Sequence, residues 1–387
     1  MIKNKVEFFI KHNKLIRDLF FYSFNLIMKT WSIFIKTDKN LVLINSFAGK
    51  RFNDSPRAIF EYIISHDEYK NLKIVWAFES PEKYHLPCNK VKIDTIAYFF
   101  TALRAKYWIT CVNIERGLHF KKKGTIYLNT WHGIPLKLVG SAVKHRKFNF
   151  SNINIFCCSG EYDRKIYIRD FNVKSRNILN CGLPRNDELY NTNENTVIKK
   201  RKELNIPNNK KIILYTPTWR ESKDLGKSYE IAPPIDFSFW RKYLGNNYII
   251  LFRAHSFTTK TMNIKFNSFV HDYSSYNKLN DLLIVADVLI SDYSSIIFDY
   301  SILERPILCF AYDYDEYTKE RGFYFDLKNE LPFSICKDEI ELLSKIKTLD
   351  YLKESSKTAT FKRKYLNYGG NATKMCVESL FKDRIHV

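Results

Sequence analysis

From Leu41 onward, short and almost wholly apolar runs alternate with stretches whose apolar residues recur every three or four positions. The runs LVLINSF (41–47), KIVWAF (73–78), KYWITCV (106–112), TIYLNTW (125–131), INIFCCS (153–159) and NILNCG (177–182) predict strands. RAIFEYIISH (57–66), IAYFFTALRA (96–105) and EYDRKIYIRDF (161–171) predict helices between them. A strand that is apolar along its whole length must be covered on both faces, which is the condition of a parallel sheet between helical layers.

Polar, loop-like residues from Pro184 to about Asn209 interrupt the pattern and predict a domain boundary. A second series then follows: strands KIILYTP (211–217), YIILFRAH (248–255), VLISDYS (288–294) and PILCFAYD (306–313). Helices are expected at LNDLLIVA (279–286), IIFDYSILE (296–304) and DEIELLSKIKTL (338–349). The predicted architecture is α/β: two doubly wound, Rossmann-like domains, residues 37–190 and 191–387, with ligand bound in the cleft between them.

Residues 1–36 precede the alternation. Leu19 to Lys36 is apolar and aromatic but interrupted by Lys29, and Lys11, Lys14 and Arg17 lie before it. It falls short of the roughly 20 apolar residues of a membrane span. Two readings stay open: an amphipathic helix lying in an anionic membrane surface, or a helix capping the first domain. No signal-peptide cleavage site follows it.

Composition narrows the partners. The chain of 387 residues carries 62 Lys and Arg against 41 Asp and Glu, a net charge of +21, which favours anionic ligands. The basic residues are spread along the chain, and helix-turn-helix, RNP and zinc-finger patterns are lacking, so nucleic acid is not an expected partner. The eight cysteines show neither Cys-x-x-Cys nor Cys/His zinc spacing and sit in apolar runs, as buried reduced thiols do. Association of the chain with itself is left open.

Candidate chemistry gathers where the predicted strands end. Trp131-His132-Gly133-Ile134-Pro135, Pro217-Thr218-Trp219-Arg220, Arg253-Ala254-His255 and Ser291-Asp292-Tyr293-Ser294-Ser295 all occupy the carboxyl ends, where open parallel sheets bind ligands. Asp292, Ser294 and Ser295 stand before the helix beginning at Ile296, either as plain N-caps or as an anion site. His132 is either a turn residue or a base whose pKa suits proton transfer near neutrality. Arg253 and His255 alternate along one strand and so face the same side, suited to a phosphate. G-x-G-x-x-G, Walker, H-E-x-x-H and G-x-S-x-G patterns are missing, which argues against dinucleotide oxidoreductases, P-loop kinases and the common hydrolases. Asp313-Tyr314-Asp315 is a D-x-D triplet, a pattern that elsewhere holds metal-bound nucleotide diphosphates, and is kept as a weak alternative.

At NTWHGIPLK (129–137), CCSGEYD (157–163), GLPRND (182–187), TPTWRE (216–221), RAH (253–255), SDYSSIIFDY (291–300) and RGFYFD (321–326) the sequence resembles the CDP-glycerol glycerophosphotransferases, the teichoic-acid primases and polymerases with their capsular relatives. Ile134 departs from the Thr expected of that family, a change near the acceptor side that leaves His132 in place. The resemblance implies a GT-B fold and an enzyme peripheral to the cytoplasmic face of the membrane, working without cofactor or catalytic metal. It implies a CDP-glycerol donor, with CDP-ribitol or a nucleotide sugar as alternatives, and a lipid-linked or polymeric acceptor. His132 then corresponds to the general base and His255 to the ligand of the donor pyrophosphate. Arg185, Pro217, Thr218, Arg253, Asp292, Ser294 and Ser295 fall in donor-binding stretches.

Overall fold

The computed structural model describes residues 13–385, apart from 145, 147, 219, 222–228, 232–233, 255–259, 262–263 and 334. Among the described residues the apolar runs assemble into two large, wholly parallel sheets. The first contains β1 (Asp38–Asn45), β2 (Lys73–Phe78), β3 (Asn89–Lys92), β4 (Ala105–Thr110), β5 (Ile126–Asn129), β6 (Ile155–Cys158) and β7 (Ile178–Asn180), in the order β3-β2-β1-β4-β5-β6-β7. The second half of the chain adds β8 (Lys211–Thr216), β9 (Arg220–Glu221), β10 (Tyr229–Ile231), β11 (Tyr248–Phe252), β12 (Lys260–Thr261), β13 (Val270–Asp272), β14 (Val288–Ser291), β15 (Ile307–Phe310) and β16 (Ile335–Cys336). Six of these form the second sheet, β13-β11-β8-β14-β15-β16, and β12-β10-β9 make a small separate one.

Both large sheets begin at a central strand, wind outward, return and wind the other way. Their switch points lie between β1 and β4 and between β8 and β14. A crevice opens at such a point because the connections leave the two strands in opposite directions. This is the GT-B arrangement of two Rossmann-like domains. Each sheet is packed on both faces, with Trp76, Phe78 and Leu128 on one side of the first and Trp108, Tyr127 and Phe156 on the other.

The structure departs from the sequence expectations in identifiable places. The interval 184–209 is not all loop, since it forms helices Asp187–Tyr190 and Glu194–Glu203. The chain end also crosses back: helix Ala372–Ile385 buries Ala372, Cys376, Val377, Leu380 and Phe381 against Val42, Ile44 and Trp76 of the first sheet. The expected unit 191–387 therefore contributes its last helix to the core of the other domain.

Helix Lys14–Phe34 caps the first domain with one face and leaves another exposed. Phe21, Phe24 and Met28, spaced three and four apart, pack on the first core, with the Phe24 ring 5.3 Å from that of Phe99. Leu15, Leu19, Tyr22, Leu26 and Ile33 form an outward stripe, 58–82% exposed. No helix among the described residues is long and apolar enough to cross a membrane.

Candidate active site

The loops leaving both switch points face one another across a cleft of about 1130 Å³. On one wall, β1 ends at Asn45 and β4 at Thr110, adjacent in register, and Asn129 closes β5 beside Thr110. On the other, Thr216 ends β8 beside Ser291 of β14.

His132 follows β5 by three residues. Trp131 adopts φ 53°, and Gly133 adopts φ 149°, a conformation that favours glycine. The resulting turn aims the imidazole at the Cys111 carbonyl, 2.8 Å from Nδ1. A carbonyl only accepts, so Nδ1 carries the hydrogen and Nε2 keeps a free lone pair. Rings of Trp131, at 4.0 Å, and Phe47, at 5.5 Å, flank the imidazole. Burial lowers the His132 pKa, so that the neutral, proton-accepting form dominates at pH 7.

Strain concentrates here. Phe47, Ala48, Asp54 and Trp131 are non-glycine residues at φ between 45° and 62°, and all four line the cleft. Such conformations cost about 1–3 kcal/mol each and persist where the surroundings over-determine them.

Gly133 brings the walls together. A Cβ at this position would lie 2.7 Å from Ser295 Oγ, so the His132 turn sits directly on the serine loop. Ser294, Ser295 and Ile296 line the cleft, and Ser294 Oγ accepts from the Ile296 amide at 3.3 Å. Ile134 and Leu136 then run into the core of the second domain, each 2% exposed. The strand-like stretch continues with Tyr324 N donating to Leu136 O and Leu138 N to Gly322 O, both at 3.1 Å. The Pro135 carbonyl accepts from Tyr162 at 2.8 Å.

Other residues singled out in the sequence serve as struts. Asp292, 3% exposed, accepts from the Thr218 amide at 2.9 Å, the Thr218 hydroxyl at 2.6 Å and Arg220 at 3.1 Å. It thereby ties the Pro217–Thr218 loop, which lines the cleft, to the serine loop. Ser291 is buried and donates to the Thr216 carbonyl at 2.9 Å. Tyr293 is buried and donates to Asp313 at 2.9 Å. Arg220 occupies Asp313 further through Nε at 2.6 Å and Nη2 at 2.9 Å. Asp315 is exposed and pairs with Lys328 at 3.4 Å. Both oxygens of Asp313 are therefore engaged by protein donors, and neither carboxylate of the D-x-D triplet is among the groups lining the cleft.

Arg185 spans the domains. It bonds Asp54 at 2.6 Å on the first and Asp299 at 2.8 Å on the second, and all three side chains are at most 12% exposed. Burial opposes its charge, but the two carboxylates outweigh burial and raise its pKa. Arg253 donates to the carbonyls of Tyr273 and Tyr276, at 3.1 and 2.5 Å. Burial, then the charge of Arg51, lowers its pKa to about 10. His255 lies outside the described residues.

Sequence reasoning missed the roles of four residues that matter here. Arg51 comes from the loop after β1 and lines the same cleft as Arg253. Asp54 and Asp299 hold Arg185. Lys137, within the motif that carried the resemblance, is half-buried and donates to the Tyr317 hydroxyl at 3.2 Å, and desolvation lowers its pKa to about 8. Cationic groups on both walls and a histidine with a free Nε2 make the cleft suited to a phosphorylated ligand and to removing a proton from a hydroxyl.

Comparison with known proteins agrees with this chemistry. The chain is 31% identical to the teichoic acid glycerol-phosphate transferase of Staphylococcus aureus over 99% of its own length and 100% of that protein's. It is 33% identical to the teichoic acid poly(glycerol phosphate) polymerase of Bacillus subtilis, covering 98% of this chain but only 55% of the polymerase. The solved structure of the wall teichoic acid polymerase TagF superposes with a TM-score of 0.83, at 30% identity and 96% coverage of both chains. The profile of CDP-glycerol:poly(glycerophosphate) glycerophosphotransferases matches residues 27–382. The chain belongs to that family.

Proposed function

We propose that the protein transfers glycerol phosphate from CDP-glycerol to a hydroxyl of a teichoic-acid-like or capsular acceptor, lipid-linked or polymeric, releasing CMP. The observation that carries this reading is His132 with its free Nε2 held against the serine loop by Gly133. In the reaction, the acceptor oxygen forms a bond to the glycerol-bearing phosphorus and its proton passes to His132 Nε2. The bond from that phosphorus to the bridging oxygen breaks, and CMP departs with the electron pair. Ser294, Ser295 and Arg253 are assigned to the donor phosphates, and Pro217 and Thr218 to shaping their loop. His255 is assigned to the leaving phosphate on resemblance alone. Such transfers need mainly positioning and charge stabilisation, which these groups supply.

Arg185 receives a different assignment from the one its motif suggested. With both carboxylate partners in place it serves as the interdomain strut that sets the distance between His132 and the serine loop. Asp292, Ser291 and Tyr293 likewise position that loop from beneath.

The outward stripe Leu15-Leu19-Tyr22-Leu26-Ile33, with Lys29 and Lys36 exposed beside it, supports docking on an anionic membrane surface. The test of the activity is nucleotide release from a panel of CDP-glycerol, CDP-ribitol and UDP-sugars, with a membrane-lipid or polymer acceptor. CMP release from CDP-glycerol, with a mass increment of one glycerol phosphate on the acceptor, is expected. Turnover of a UDP-sugar alone would overturn the reading.

A further inference from the structure

Away from the cleft, three thiols converge in the core that joins the C-terminal helix to the first sheet. Cys157 lies on β6, Cys181 follows β7, and Cys376 lies in the second turn of helix Ala372–Ile385. Cys376 Sγ is 3.3 Å from Cys157 Sγ and 4.0 Å from Cys181 Sγ, across 219 and 195 residues of chain. All three sulfurs lie within 4.8 Å of one another and are at most 1% exposed.

A single buried cysteine is an ordinary core residue. Three sulfurs from distant segments, meeting sulfur to sulfur, are a different arrangement. Around an ion bound at about 2.3 Å, thiolates lie roughly 3.8–4.0 Å apart. The Cys181–Cys376 spacing of 4.0 Å matches that value, and the 3.3 Å between Cys157 and Cys376 needs only a small outward shift to reach it. The neighbouring Cys158 faces the opposite side of the strand and bonds Asn180, so it does not join the group.

We infer that Cys157, Cys181 and Cys376 form a three-thiolate site for a soft, thiophilic cation of the Zn²⁺ class, which fastens the returning C-terminal helix to the first sheet. Soft ligands select such ions, and the dry shell of Val42, Ile44, Leu128 and Phe381 keeps water from competing. The site is assembled only when the helix docks. Asp187 holds the helix start, accepting from the amides of Ala372 at 2.8 Å and Thr373 at 2.7 Å. Gly182, beside Cys181, is packed so closely on Gly369 that a Cβ would meet its Cα at 2.8 Å. Binding converts three thiols and one divalent ion into a tris-thiolate complex and three protons.

The test is titration of the reduced, chelator-treated full chain with Zn²⁺, and with Cd²⁺ as its spectroscopic substitute, in weak buffer with a pH indicator. One equivalent of Cd²⁺ should give the ultraviolet thiolate-to-cadmium charge-transfer band and release about three protons. Zn²⁺ in excess should raise the thermal midpoint by roughly 5 °C. Cys376→Ala should lose all three responses, whereas Cys88→Ser, at a half-buried thiol outside the cluster, should keep them. If Cys376→Ala fails to fold, the responses of the unsubstituted chain and of Cys88→Ser still decide. Binding without proton release, no charge-transfer band, or an unmoved midpoint would show a plain core of thiols and overturn the inference.

Discussion

At the scale of residues, the chemistry rests on which nitrogen of His132 is free. The Cys111 carbonyl fixes Nδ1–H, and burial keeps the ring neutral below its ordinary pKa of about 6.5. A lowered pKa shifts protonation to more acidic pH. The acidic limb of the kcat profile should therefore fall below pH 6.5, with turnover flat from there through neutrality. A limb at or above 6.5 that moves with His132 would contradict this environment. Arg185 gives a stability prediction. Arg185→Ala leaves Asp54 and Asp299 buried without a counter-charge, a loss of about 3–5 kcal/mol in denaturant unfolding. A loss under 1 kcal/mol would mean that water already screens the pair. Arg185 shows how far residues are legible one at a time. Its motif placed it in a donor-binding stretch, but its partners come from the helix starting at Asp54 and from Asp299, 131 and 114 positions away. Only folding reveals that its charge is already matched.

At the scale of elements, the starts of most apolar runs were read to within a residue, whereas their ends overrun the strands, as VLISDYS passes the end of β14 by three residues. The expected KIVWAF and EYDRKIYIRDF match β2 and helix Glu161–Phe171 at both ends. Elements with a single buried contact were not legible. β3 reads NKVK and buries only Val91, because it is an edge strand. Helix Glu194–Glu203 is almost wholly polar and sits on helix Leu279–Val285, so it carries no apolar period. The N-terminal helix was ambiguous because it is apolar on two faces, one packed on the first core and one exposed. Its inner face packs on the core, so removing the whole helix would uncover Phe99. The sharper test replaces Leu19, Leu26 and Ile33 with Glu on the outward stripe. Burial of such side chains contributes about 1.5 kcal/mol or more each, so binding to anionic vesicles should fall at least ~100-fold while the unfolding midpoint stays. Unchanged flotation would place the membrane contact elsewhere on the basic surface.

At the scale of the whole molecule, two sheets with the same winding bring their switch points face to face, and the active cleft is what lies between. The positions of His132 and the serine loop at strand ends were legible from the alternation alone, because parallel sheets put loops of one kind at one end. Their mutual contact through Gly133 and Ser295 was not, since nothing local encodes the angle between domains. That angle is held by Arg185, by the loop 134–138 entering the second core, and by the C-terminal helix entering the first. The central claim is that this contact delivers a base to a donor bound on the opposite wall. Binding and single-turnover transfer of CDP-glycerol, measured side by side for the unsubstituted protein and His132→Asn, test it most directly. The account predicts a donor dissociation constant within a few-fold of the original and a transfer rate lower by about 10²–10⁴. Near-native transfer by the variant would make His132 a turn residue and contradict the account.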